Sequence, residues 1–325
     1  MDKTLEEWIA DLYGDGWEYR FLACKTLGME KIKEAVPRII ELLNDQNHNV
    51  RLGAARALGE IGDRQAIDPL VTALAEPNEW VRLQIVEALG KLGDGKVAVV
   101  LSRFLETEQD DRVRATIVQV LGKLGDEKMI PILVTYLKDS DLRVRANAVE
   151  ALESLGDEKI TEFLLPMMAG ANHRIKANIA KALFNLGDYT GLNILNKMLK
   201  EKNEWMRAAA AWALGEVKTT EVIKPLVEAL GDKYWFVDRN IIRSLVKTGK
   251  PTVRPLLNKL KKKTLDHRVR LGIIVALGEI GDDNALGPLI VNMHNYNGEI
   301  RIKAEEAIDR IRENSRKMRE MEKRY

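Results

Sequence analysis

The sequence predicts an all-α fold, an α-solenoid of about ten stacked helical hairpins wound as a right-handed superhelix. Three observations predict it. A Val-Arg pair, or a close variant, recurs at Arg20, Arg51, Arg82, Arg114, Arg145, Lys176, Arg207, Asp238, Arg270 and Arg301, in steps of 31 or 32 residues. Each of these positions opens a stretch with apolar residues at spacings of three and four, and most stretches end in Gly-Asp or a variant of it. A second apolar helical stretch fills the rest of each period, as in "QAIDPLVTALAE" from Gln65 to Glu76. One such hairpin cannot bury its apolar surface alone, so the repeats must stack.

The expected organisation is one repeat domain over residues 1–325. Residues 1–14 form a capping helix, in which Leu5, Trp8, Ile9 and Leu12 share one face. Residues 15–311 hold ten repeats. The first helix of a repeat ends at a glycine (Gly62, Gly93, Gly125, Gly156, Gly187, Gly281), the residue that tolerates left-handed backbone past a helix end. The second helix often has proline near its start (Pro69, Pro131, Pro225, Pro255, Pro288), where the missing N–H costs nothing. Residues 312–325 continue the last helix as a polar, solvated extension.

The repeat V-R-x-x-A-x-x-A-L-G-x-I-G-D, as in "VRLGAARALGEIGDRQAIDPLVTALAE" (Val50–Glu76), resembles the HEAT-like repeat of the phycobilisome (PBS) lyase type. The resemblance implies the fold. Its members include bilin-lyase subunits, an iron-dependent deoxyhypusine hydroxylase, scaffolds and artificial binders, so it implies several functions.

Composition narrows these. The chain is 46% hydrophobic and 31% charged, and 51 basic against 49 acidic residues leave a net charge of +2. That balance gives no polyanion-binding signal. Cys24 is the one cysteine, which fits a reducing compartment. The first residues are acidic where a signal peptide is basic, and purely apolar runs are only a few residues long. A cytoplasmic protein without membrane spans is expected. Abundant charge with little cysteine and glutamine suits a thermophile.

With the Arg position as zero and ~100° per residue, offsets −1, +1, +3, +4 and +7 are mostly apolar and face the stack. Cys24 takes a +4 slot as a small core residue. Offsets −2, +2, +5 and +9 form a stripe expected on the concave face. Offset −2 carries Trp80, Arg112, Arg143, Arg174, Trp205 and Phe236. Offset +2 carries Asn147, Asn178 and Asn240, and offset +5 carries Trp212. With Trp235, these are the candidate partner-binding residues. The arginines would take anionic groups and the aromatics an apolar anchor. The competing reading has the arginines pair with acids of the next repeat.

No catalytic set, metal site or cofactor is expected. None of the four histidines is followed by Glu, so the His-Glu pairs of the iron-dependent hydroxylases are missing. There is no Cys-x-x-Cys, phosphate-cradling glycine loop or nucleophile elbow. The basic run Lys259–Arg270 is expected to be solvated. The expected function is a non-catalytic scaffold that holds another protein or peptide, an acidic or phosphorylated segment, in the concave groove. An accessory subunit of a bilin-lyase-like enzyme is the second reading. A nucleic-acid binder is the third, disfavoured by the acids within the stripe (Glu87, Glu150, Glu216, Glu279).

One further pattern concerns the Arg position itself. The residue twelve positions on is acidic in most repeats, as in Arg51/Asp63 and Arg82/Asp94, and the eighth repeat inverts the pair as Asp238/Lys250. Arg20/Ile32 and Arg207/Thr219 break the rule; in the other repeats a salt bridge between the two positions is expected, Asp238–Lys250 included.

Overall fold

The computed structural model describes residues 3–262 and 264–322. Among them there is no strand, and no helix is long and apolar enough to cross a membrane. Helix contacts divide the chain into two compact units, Met1–Leu164 and Leu165–Tyr325. Each unit is a stack of helical hairpins, an all-α solenoid arrangement.

The N-terminal unit opens with α1 (Leu5–Asp11), closed by a capping box between Thr4 and Glu7. Hairpins follow: α2 (Trp17–Met29) with α3 (Val36–Glu41), α4 (His48–Ile61) with α5 (Ile67–Thr72), and α6 (Glu79–Leu92) with α7 (Gly95–Leu105). Next come α8 (Asp111–Leu124) with α9 (Ile130–Tyr136), then α10 (Leu142–Leu155). The division falls within α11 (Ile160–Met167), which contains Pro166. The C-terminal unit holds α12 (His173–Asn185) with α13 (Thr190–Met198), α14 (Glu204–Glu216) with α15 (Ile223–Ala229), and α16 (Trp235–Thr248) with α17 (Val253–Leu260). It ends with α18 (His267–Ile280), α19 (Leu286–Asn292) and α20 (Gly298–Glu322).

Most first helices start at offset −3 because the residue before is a capping side chain. Asn78 Oδ1 accepts from the N–H of Trp80 and Val81, and Asp110, Asp141, Asn203 and Asp266 cap in the same way. Of the expected core offsets, −1, +3, +4 and +7 are buried in most repeats, whereas +1 is only half-buried in several, as at Leu52, and exposed at Ile302, because it lies at the edge of the contact between first helices. In α4, Val50, Ala54, Ala55 and Leu58 are fully or almost fully buried. Cys24 is fully buried, and burial pushes its thiol up to about 12, so it packs as a small apolar residue.

Consecutive first helices approach closely at offset +8. A Cβ on Gly122 would lie 2.5 Å from Ala151 Cα, and one on Gly278 would lie 2.6 Å from Ala307 Cβ. Glycine at +8 facing alanine at offset +6 of the next repeat sets this spacing. The glycine after the first helix serves two ends. Gly62, Gly156 and Gly281 are left-handed, at φ 83°, 74° and 75°. Gly93 and Gly125 are extended instead (φ −78° and −79°), and there a side chain would meet a carbonyl and the next helix: a Cβ on Gly125 would lie 2.5 Å from Leu121 O.

The expected pairing twelve residues on is corrected. In the Gly-Asp turn, the aspartate caps the second helix of its own repeat: Asp63 accepts from Gln65 N–H, Asp94 from Lys96 N–H and Asp126 from Lys128 N–H. The arginine pairs with the following repeat. Arg20 binds Asp45, Arg51 binds Glu76, Arg82 binds Glu108, Arg114 binds Asp139 and Arg207 binds Asp232, each 25 or 26 residues on. Nε and Nη2 grip the carboxylate as a fork, while Nη1 donates to the loop before its own helix, as Arg51 does to Asp45 O. The same acid accepts the N–H of the next N-cap, as Asp45 does from Asn47. One arginine therefore ties two successive loops. Among the described residues no ion pair joins Asp238 to Lys250. Asp238 instead accepts from Gly231 N–H at 2.7 Å.

The polar extension, expected over 312–325, continues α20 to Glu322; residues 323–325 lie outside the described ones. Ser315 Oγ donates to Asp283, and Lys317–Glu313 and Arg316–Glu320 pair along the exposed helix.

Candidate functional site

In the N-terminal unit the −2 side chains are occupied by their own surroundings. The Arg112 guanidinium lies 4.0 Å from the Trp80 ring centroid, bonds Asp110 at 2.8 Å and reaches Glu79 at 3.4 Å. Its side-chain hydrogen bond holds the Asp110 carboxyl at about 2. Arg143 binds Asp111 at 2.7 Å and Asp141 at 3.2 Å. Neither arginine offers the unpaired fork that the sequence suggested, because acids of its own loop and of the preceding helix take it.

Offset +2 also departs from expectation. Asn147 Nδ2 donates to Ala115 O at 2.8 Å, and Asn240 Nδ2 donates to Ala208 O at 3.1 Å. Each ties its helix to the one before. Asn178 is only 3% exposed. These asparagines lie between helices, because a residue at +2 points toward the preceding helix. Offsets +2, +5 and +9 still line a groove of about 800 Å³ in the N-terminal unit, with Thr116, Gln119, Lys123, Asn147, Glu150 and Ser154 on its walls. Polar and apolar surface share it about equally, and its charged residues are of both signs; Lys123 Nζ bonds Gly90 O at 2.9 Å.

The C-terminal unit carries a different surface. Trp205 is 52% exposed and stacks on Phe236, with centroids 4.7 Å apart and planes at 25°. His173 tilts against the Trp205 ring at 6.1 Å. Trp235, 72% exposed, meets Phe236 edge-on at 6.0 Å, and Tyr234 lies 5.9 Å from the same ring. Rings from α12, α14 and α16 thus form one continuous strip. Trp212, two turns beyond Trp205 on α14, is exposed beneath Lys181 Nζ at 5.8 Å and makes no ring contact with Trp205. Arg174, Arg243 and Arg268 are exposed and make no ion pair among the described residues. The arrangement offers an apolar strip with cations around it, which suits contact with an amphipathic acidic chain.

Sequence reasoning missed Tyr234 and left His173 out of the site. A signal existed for Tyr234. It occupies the offset where other repeats hold a capping Asn or Asp, and α16 has no side-chain cap. The eighth repeat departs from the pattern at Tyr234, Trp235, Phe236, Asp238 and Lys250 together. A repeat that gives up local stability at several positions has usually done so for a site.

The family model described as HEAT repeats matches residues 5–90, 54–122, 98–183, 161–240 and 223–309. No curated protein matches the chain. Among solved structures, the chain is similar to one in the complex of Kap95p with RanGDP, at 14% identity and a TM-score of 0.56, over 95% of this chain and 50% of that one. The likeness is one of fold. Weaker similarities are to the CpcE–CpcF complex of phycocyanin lyase from Nostoc sp. PCC7120 (21% identity, 78% and 92% covered, TM-score 0.38) and to human deoxyhypusine hydroxylase (21%, 79% and 99%, 0.37).

Proposed function

Because this chain belongs to the HEAT-repeat proteins, we propose that it is a non-catalytic scaffold that docks another protein on the first-helix face of its C-terminal unit. The observation that carries the reading is the exposed ring strip of Trp205, Phe236 and Trp235. Aromatic surface of this extent is costly in water and is the usual centre of a protein interface. The partner is an extended acidic or phosphorylated segment with an apolar anchor: the anchor lies on Trp205 and Phe236, and the anionic groups meet Arg174, Arg243 and Arg268. The Trp80–Arg112 stack is a structural contact in this reading, and the expected concave groove narrows to its aromatic part.

A displayed random-peptide library tests this. Selected peptides should combine acidic residues with one large apolar residue. The pair Trp205→Ala and Trp235→Ala should weaken their binding by about tenfold or more, equivalent to about 1.4 kcal/mol, without lowering the melting temperature. Equal binding by the double variant would remove the site. Tight, steeply salt-dependent binding of a random oligonucleotide would favour a nucleic-acid partner instead. A visible absorption band in protein purified from its source would favour the bilin-lyase-like reading.

A further inference from the structure

The arginine ladder loses its acid at Arg270. In the rungs that form, the residue 25 or 26 positions on is Asp or Glu; here it is Asn295. Asn295 keeps the local geometry of a ladder acid, since its Oδ1 accepts Asn297 N–H at 2.9 Å as Asp45 Oδ1 accepts Asn47 N–H at 2.8 Å. What it lacks is the second anionic oxygen. Arg270 has turned away, with Nη1 on Asn292 Oδ1 at 3.2 Å and Nη2 on Lys262 O at 3.3 Å. It makes no ion pair among the described residues.

A cavity of about 590 Å³ lies at this point, within the C-terminal unit between α17, α18, α19 and the start of α20. Arg270, Lys261 and Lys262 line it, and no acidic side chain does among the described residues. Leu257, Leu260, Leu265, Pro288, Val291 and Ile300 supply an apolar wall. His267, also in the lining, leaves a buried Nδ1 without a hydrogen-bond partner, while its Nε2 faces Glu299 at 3.2 Å. A volume of this size, apolar with a few convergent cations, has the make-up of a small-ligand pocket.

We infer that this cavity binds a carboxylate carried on an apolar body, which completes the ladder rung that Asn295 leaves open. Five other repeats show what the Arg position takes where an acid is present: a carboxylate gripped by Nε and Nη2, as at Arg20, Arg51, Arg82, Arg114 and Arg207. A ligand carboxylate bound to Arg270 gains the same fork, and its apolar body covers Leu257, Leu260 and Val291. The site is separate from the aromatic strip and does not depend on its assignment. Two sources share the chemistry, a free aliphatic acid and the C-terminal carboxylate of a peptide with an apolar last residue.

Calorimetric titration with octanoate, N-acetyl-leucine and octan-1-ol tests it on the full chain. At least one of the two acids should bind saturably and raise the melting temperature, and octan-1-ol should do neither; the tighter acid identifies the source. Arg270→Gln should lose the binding. Asn295→Asp supplies the carboxylate from within the chain, so it should raise the melting temperature without ligand and weaken acid binding at least about tenfold. The inference is overturned if neither acid binds, if octan-1-ol binds as well as octanoate, or if either variant binds the acids as the native protein does.

Discussion

Asp238 occupies the position that holds Arg20, Arg51 and Arg82 in earlier repeats, and its carboxylate makes no ion pair among the described residues. Burial pushes its pKa up, with the Gly231 N–H opposing. The folded form therefore holds its proton to higher pH than the unfolded chain does. The stability that the protonated group allows is complete below the unfolded value and is lost as pH rises through the folded one. Asp238→Asn keeps an acceptor for Gly231 and removes the charge. Denaturant melts should show it equal to the native protein at the acid end and increasingly more stable as pH rises toward neutrality; a pH-independent difference would mean that the buried charge is not the cause. The ladder pairs behave in the opposite sense. Glu108 loses free energy to burial, but the Arg82 fork and its neighbours more than offset this and hold the carboxyl below the usual range. Arg82→Gln strands that acid, which is nearly buried at 2% exposure, and should cost roughly 2–3 kcal/mol, somewhat under the range for fully buried pairs because Arg82 keeps 16% exposure. Adding Glu108→Gln should recover part of the loss, and a double-mutant cycle measures that coupling.

Glycine at offset +8 governs how closely first helices pack. Gly122 on α8 faces Ala151 on α10 with no space for a Cβ, since the nearest atoms are the Ala151 Cα at 2.5 Å and its Cβ at 2.6 Å. Gly122→Val must push the two helices apart and should cost at least about 1–3 kcal/mol, the range for overpacking a tight core. Gly95 opens α7 with no side chain or backbone atom closer than 3.9 Å to its Cβ position, so Gly95→Ala should change stability little and serves as the control. Thermal melts of the two variants separate close approach from a general intolerance of side chains at glycine. On α16 the missing N-cap has a cost of the same kind. Tyr234→Asn should stabilise that helix by about 1 kcal/mol, while it removes a ring from the strip and weakens docking.

At the scale of the whole chain, stability is a sum over neighbouring hairpins. Arg145 has Gly170, which carries no carboxylate, 25 residues on; it donates to Asp139 O and Ser140 O and makes no ion pair among the described residues. Lys176, which cannot fork, makes no ion pair with Glu201 either. Leu121→Asp places an unpaired charge at a fully buried position of α8. Hydrogen exchange should then lose protection in the N-terminal unit, while α14 to α20 keep theirs. Uniform loss along the chain would show that the array opens as one.

The sequence by itself determined the repeat, the hairpins, the core offsets other than +1 and the exposed tryptophans, because each rests on local periodicity that stacking only repeats. Trp205, Trp235 and Phe236 were legible as deviations from a pattern the chain states many times. The arginine partners were not. An acid twelve residues on and an acid 25 residues on recur with the same period, so spacing alone cannot choose between them. The choice follows from where the side chain projects: the fork reaches forward to the next loop, and the aspartate of the Gly-Asp turn is consumed as a helix cap. The asparagines at +2 were misread for a related reason. A helical wheel gives an angle around one helix, but whether that angle meets solvent or a neighbour depends on how closely the neighbour packs. Glycine and alanine at the contact bring the first helices near enough to enclose part of the stripe. That distance, and the orphaned Arg270 beside its cavity, exist only once the repeats are stacked.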